Sequence, residues 1–195
     1  MRPVGEIMRL QVQQSSLKVG ERPLRRYDPT PILAVAALTL DEGGVTGWTA
    51  EGERVADVHH RDHPASKHRD GTNGVSVGFT GHYSALRDRF GAHLTDGLAG
   101  ENILVASDRR WTLDDLADGL AIAAAGGARL RLERVIVADP CVEFTRYALR
   151  YPASARTDRA VTEGLIFLGA GVRGFYAAYT GAPSRIAVGD RVYLP

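Results

Sequence analysis

Among the 195 residues there is one cysteine, Cys141, with two methionines and two tryptophans. A lone thiol excludes a disulfide-stapled scaffold. It equally excludes a protein-bound iron–sulfur cluster and a Cys-rich zinc site, which take several thiolates from one chain. Lysine is scarce too: of 24 Lys plus Arg only Lys18 and Lys67 are lysines, which leaves two candidates for Schiff-base chemistry. Surplus charge of one sign is missing, with 24 Lys plus Arg against 23 Asp plus Glu. No basic block is available to collect nucleic-acid phosphates, so no nucleic-acid partner is expected. The longest apolar run, Ile32 to Leu38, is far short of the ~20 residues of a membrane-spanning helix. The first residues interleave polar and apolar types without a hydrophobic h-region, so no secretory signal is read and a cytoplasmic location is expected. No repeat, low-complexity tract or long linker divides the chain. One domain over residues 1–195 is expected, large enough to remove roughly 70% of its unfolded surface from water.

Glycine is plentiful, 22 in all, and punctuates short apolar stretches. Met8, Leu10 and Val12 alternate with Arg9, Gln11 and Gln13, a period of two that predicts a half-buried strand. Ile32 to Leu40 predicts a second strand. Val75, Val77 and Phe79 alternate again, and then the period lengthens. Tyr83, Leu86 and Phe90 fall at helical spacing behind Thr80, a candidate N-cap, and should face a core. His82 and His93 are then expected at the surface near the helix ends, and Arg109-Arg110-Trp111 in an exposed loop. Glu101 to Val105 and Leu120 to Ala124 read as strands, with Gly126-Gly127 turning the latter into the run from Arg129 to Val137. Within that run the apolar phase moves from Leu130 and Leu132 to Val135, Ile136 and Val137, as a bulge would make it. Val172 to Tyr179 and Ile186 to Leu194 add further strands. The expected class is mainly β (α+β), a β-barrel with a few short peripheral helices.

Asp139-Pro140-Cys141 precedes a helical pattern in which Cys141, Phe144 and Ala148 share a face. Asp139 is a candidate N-cap, and proline suits the first helical position, which would put Cys141 in the first turn. Backbone N–H groups converge there and stabilise a thiolate, the arrangement that makes a sulfur nucleophilic or metal-binding. The competing reading is a small buried hydrophobe. A second cluster, Asp57-Val58-His59-His60-Arg61-Asp62-His63 followed by Lys67-His68-Arg69-Asp70, holds four of the six histidines. His59, His60 and His63 are candidate ligands of a divalent ion. Their spacing is not that of a helical metal motif, and a solvated polar loop is the alternative.

Three ordered motifs, Gly100-Glu101-Asn102, Pro140-Cys141 with Phe144, and Gly171-Val172-Arg173-Gly174-Phe175-Tyr176 followed by Gly189-Asp190-Arg191-Val192, resemble the MOSC domain. That family is named for the C-terminal domain of molybdenum cofactor sulfurases. Gly44-Val45-Thr46-Gly47 lies where the family has its first glycine motif. The resemblance implies a β-barrel that binds a molybdenum-pterin cofactor or carries sulfur, with Cys141 as molybdenum ligand. Glu101 and Asn102 would shape the pocket and Arg173 would meet the pterin phosphate, for which a two-pronged guanidinium is suited. Lys67, His68, Arg69 and Asn73 would line the cofactor mouth and offer donors or acids. In that loop the chain departs from the family, which has a His-Gly-Gly stretch. Pyridoxal phosphate, at times associated with the family, would need Lys67 and is not favoured.

The resemblance thus implies a reductase of N-hydroxylated compounds served by an external electron-transfer protein. A different class is a sulfur carrier with a persulfide on Cys141, working beside a cysteine desulfurase. A third is a binding module that keeps the barrel without the chemistry, for which the altered loop is the motive.

Overall fold

The computed structural model describes residues 1–67, 69–70 and 73–195. The chain opens with strand β1 (Arg2–Gln13), followed by the two-residue strands β2 (Lys18–Val19) and β3 (Arg26–Tyr27). The apolar stretch from Ile32 divides at Val35-Ala36 into β4 (Ile32–Ala34) and β5 (Ala37–Asp41). Next come β6 (Gly44–Trp48), β7 (Arg54–Ala56) and β8 (Val75–Phe79). Helix α1 (Thr80–Phe90) leads to β9 (Ile103–Ala106), β10 (Leu120–Ala123) and β11 (Arg129–Val137). Helices α2 (Val142–Ala148) and α3 (Arg159–Phe167) precede a π-helical turn over Leu168–Val172. The chain ends in β12 (Phe175–Ala178), β13 (Ser184–Ala187) and β14 (Arg191–Leu194).

Seven strands close a barrel in the order β14-β10-β11-β12-β8-β9-β1, with β1 pairing back onto β14. Closure removes the exposed edges that an open sheet would leave. Every pair is antiparallel except β8 with β9. That parallel step needs a long crossover, which α1 and the loop after it supply. A second sheet, β13-β5-β6-β7, packs beside β1. Ile7, Val77, Phe79, Leu132 and Phe175 fill the barrel, while Tyr83, Leu86, Phe144, Ala148 and Leu168 form a separate core beneath the helices. Among the described residues no helix is long and apolar enough to cross a membrane.

Local departures from simple periodicity have visible causes. The β1 register shifts between Ile7 and Arg9 against β9, so Met8 turns outward, 42% exposed, while Leu10 and Val12 stay inside. Thr80 does not cap α1. The capping position is Phe79, without a side-chain bond, and the Thr80 hydroxyl donates to Ser107 O at 3.0 Å instead. The bulge expected in β11 is present, between Glu133 and Ile136, with Arg134 at φ 51°. Val172 belongs to the π-helical turn, so the strand begins only at Phe175.

Two expected surface features are internal. His82 is buried, its Nε2 3.0 Å from Trp111 O and its Nδ1 without a partner among the described residues. Trp111 is buried against Phe79 and donates from Nε1 to Ser107 Oγ at 2.9 Å, with the Arg109 guanidinium over its ring. Arg109 itself pairs with Asp115. His93 is half-covered beside Tyr147. A barrel end needs plugs, and chain position decides which side chains serve.

Candidate functional site

At the junction of barrel and helices a cavity of about 220 Å³ gathers side chains from six stretches of chain. Gln13 ends β1, Lys18 lies on β2, Tyr27 on β3, His59 and Lys67 follow β7, and Cys141 precedes α2. Arg173 and Tyr176 enter from the start of β12. Asp139, the acid two residues before the cysteine, also faces the cavity.

Cys141 is not in the first turn of α2. It is the N-cap itself, with extended φ −122° and ψ 154°, and its Sγ accepts the Phe144 N–H at 3.4 Å. The sulfur therefore takes the place of the serine or aspartate oxygen usual at this position. Asp139 is left free of capping, and Pro140 lies outside the helix. Cys141 is half-buried with a free thiol, so it is neither sealed in the core nor fully open.

Arg173 is the strongest electrostatic feature. Its guanidinium sits 5.1 Å from the centroid of the Phe144 ring, and Nε is buried without a partner among the described residues. Burial opposes its charge, but Tyr27, Tyr176, Glu101 and Cys141 outweigh that and raise its pKa. The glycines beside it answer to packing. Gly174 has φ +105°, and a Cβ there would lie 2.9 Å from Val77 O on the neighbouring strand. Arg173 therefore does pack, against Phe144, which its glycine neighbours alone would not suggest.

Behind the cavity wall lies a buried hydrogen-bond network. Asp57 is fully buried; its Oδ1 lies 2.8 Å from His59 Nδ1, and its Oδ2 accepts from Gln13 N at 2.7 Å and Asn102 Nδ2 at 2.8 Å. Facing a carboxylate, the His59 Nδ1 must carry the proton. Asn102 Oδ1 in turn accepts from Ser76 N at 3.0 Å and Ser76 Oγ at 2.8 Å. Glu101 is also buried and accepts from Tyr83 Oη at 2.9 Å. Its burial pushes the carboxyl pKa up, while its own backbone N–H, Tyr83 and Arg173 pull it down. Glu101 and Arg173 make no direct ion pair, so their influence is through space.

The barrel has counterparts. The crystal structure of the YuaD protein from Bacillus subtilis matches with a TM-score of 0.55 at 15% identity, over 96% of this chain and 93% of that one. The crystal structure of a hypothetical protein matches with a TM-score of 0.54 at 13% identity, over 98% of this chain and 67% of that one. At such identities the likeness is one of fold. No protein-family model matches the sequence, and no curated protein matches it significantly.

Of the residues singled out from the sequence, the structure brings Cys141, Arg173, Lys67 and His59 to one cavity. Glu101 and Asn102 stand behind it, Asn102 holding Asp57 and Glu101 lying over Gly78, where a Cβ would come within 2.4 Å of Oε1. Arg69 and Asn73 do not line the cavity, and His68 lies outside the described residues. The three histidines do not form a metal centre. His60 Nε2 donates to Asp41 Oδ1 at 3.2 Å, His63 Nδ1 accepts from Ala65 N at 3.1 Å, and His59 is held by Asp57. No group of three His, Cys, Asp or Glu side chains among the described residues is placed to hold a metal ion. Sequence reasoning missed Asp57 as the anchor of His59, although it stands two residues away. It also missed Gln13, Lys18 as a cavity cation, and Tyr27; a polar residue closing an apolar strand was the available signal for Gln13.

Proposed function

We propose that this MOSC-like barrel holds a molybdenum-pterin cofactor, with Cys141 as the protein ligand of the metal, and reduces N-hydroxylated compounds. One observation carries the reading: the chain's only thiol shares a cavity with Lys18, Lys67 and the buried, unpartnered Nε of Arg173. Three cations with no ion pair among the described residues are suited to a phosphate, and a thiolate is a soft ligand for molybdenum. The donor set therefore fits the group. When bound, the cofactor supplies a two-electron couple.

The chain's own residues would do the rest. Phe144 holds the Arg173 plane from one side, fixing a fork that can meet two phosphate oxygens. Cleaving an N–O bond consumes two electrons and two protons, giving the amine and water. His59 lines the cavity with its Nδ1 held by Asp57, which orients the ring as a proton donor toward the leaving oxygen. One cysteine does not supply the ligands of an iron–sulfur cluster, and the reading assigns the supply of the two electrons to an external electron-transfer protein.

The test is metal and pterin analysis of protein purified from a host that makes the cofactor, alongside Cys141→Ser and Cys141→Ala. Near-stoichiometric molybdenum in the wild type, lost in both variants, is the expected result. Serine keeps an acceptor for the Phe144 N–H, so a folded Cys141→Ser without molybdenum separates ligation from capping. Persulfide mass on Cys141 with no molybdenum would assign sulfur carriage instead, and neither modification nor metal would leave a binding module.

A further inference from the structure

Cys141 and Lys18 belong to two cavities. Besides the one described, an open groove of about 610 Å³ runs from Cys141 over α2 toward α3. Its cations are Lys18, Arg22, Arg25 and Arg146, of which Arg25 is paired with Glu143 at 2.6 Å. Arg146 gives one N–H to Ala153 O, while its Nε is buried without a partner among the described residues. Counting both cavities, six cations face two carboxylates, a surplus of four in a chain whose whole formal charge is +1. The rest of the molecule is correspondingly acidic. Positive potential is therefore concentrated around one sulfur, which steers acidic partners to it.

The groove is also apolar in a way a small anion would not require. Pro23, Val142 and Leu165 line it. Leu24, beside Pro23, is 61% exposed, and Ile166, beside Leu165, is 71% exposed, higher than any other large hydrophobic side chain among the described residues. Pro23, Val142 and Leu165 set beside cations that, Arg25 apart, have no carboxylate partner among the described residues give the groove the mixed apolar and positive lining of a protein-docking face.

We propose that this groove docks the acidic face of a partner protein, the electron donor that the proposed reduction requires, and brings it to Cys141 through the groove rather than through the ligand cavity. The inference rests on the proposed function for the partner's role, while the docking itself does not depend on bound cofactor. The apo protein is sufficient for the test, because the only thiol lines the groove and the groove substitutions separate its occupancy from that of the ligand cavity. The probe is a random glutamate–tyrosine copolymer, acidic and partly apolar, and the readout is the rate of Cys141 alkylation by iodoacetamide at low ionic strength.

Saturating copolymer should slow alkylation roughly tenfold or more, and the protection should vanish near 1 M salt, where the screening length is about 3 Å. Arg22→Glu combined with Leu165→Ser, both lining the groove and neither lining the ligand cavity, should weaken the protection at least roughly tenfold while molybdenum content stays as in the wild type. Absence of protection, or protection indifferent to these substitutions, would overturn the docking face. So would equal protection by inorganic pyrophosphate that Leu165→Ser leaves unchanged, which would make the groove a small-anion site. Protection with no molybdenum in any preparation would fail the proposed function alone.

Discussion

His82 offers a perturbation whose size follows from its surroundings. The ring is buried between Phe79 and Phe175, with centroids 5.3 and 5.8 Å away. Burial lowers its pKa from 6.5 to about 4, against a raising effect from the Trp111 carbonyl and with a further lowering by Arg110. Nε2 carries the proton that Trp111 O accepts, so a second proton would go to Nδ1, which has nothing to receive it. The unfolded chain binds that proton near pH 6.5, and the folded chain resists until about pH 4. Stability contributed by the neutral ring is thus fully present above pH 6.5 and is lost as pH falls toward 4. The loss is about 3 kcal/mol at 1.36 kcal/mol per pH unit, or roughly 6–12 °C in melting temperature for a chain of this length. Glu101, whose pKa is raised by burial, works in the opposite sense, so the measurement must be a difference. His82→Gln can still donate to Trp111 O but cannot titrate. Thermal melts of both proteins from pH 7.5 to 4 should show the wild type losing several degrees more than the variant. Parallel curves would refute the buried neutral imidazole.

Three further outcomes follow from contacts already described. Asn102→Ala strips partners from Asp57 and Ser76 in a buried network and should cost about 3 kcal/mol or more in a denaturant titration; a loss below about 1 kcal/mol would mean water replaces the amide. Arg173→Lys keeps the charge but loses the fork and the stack on Phe144, so phosphate affinity by calorimetry should fall roughly tenfold to a hundredfold. The same variant should lose about 1 kcal/mol of stability, and unchanged phosphate binding would remove Arg173 from the site. Gly174→Ala meets Val77 O at 2.9 Å with φ +105° and should destabilise by about 2 kcal/mol. Gly126→Ala, which meets nothing within 4 Å and has no positive φ, should melt with the wild type.

Alternating residues made β1 and β8 legible in the sequence, paired glycines marked the β10–β11 hairpin, and a phase slip marked the β11 bulge, because each of these signals is local. Barrel closure is not local: Arg2 meets Leu194, and no periodicity reports on a partner at the other end of the chain. Helix α3 escaped notice although Asp158 caps it, accepting from Val161 N at 2.9 Å; its cap signal lies in a polar stretch with no strong apolar rhythm before it. The same distinction governs the site. Cys141 was visible as a thiol before a helix, but whether it would be the cap or the first turn depended on one residue of phase. Asn102 was visible as a motif member, while its task emerged only where the end of β1 and the segment after β7 meet. There it holds Asp57, which holds His59. Residue type selected the candidates, and strand order decided which would face the sulfur and which would stand behind. The buried amide ties Ser76, Gln13 and Asp57 together and so serves the fold, and through Asp57 it also fixes the ring of a histidine that lines the cavity. In the proposed reading the same network has a second task, which is to hold the His59 ring in one orientation beside Cys141.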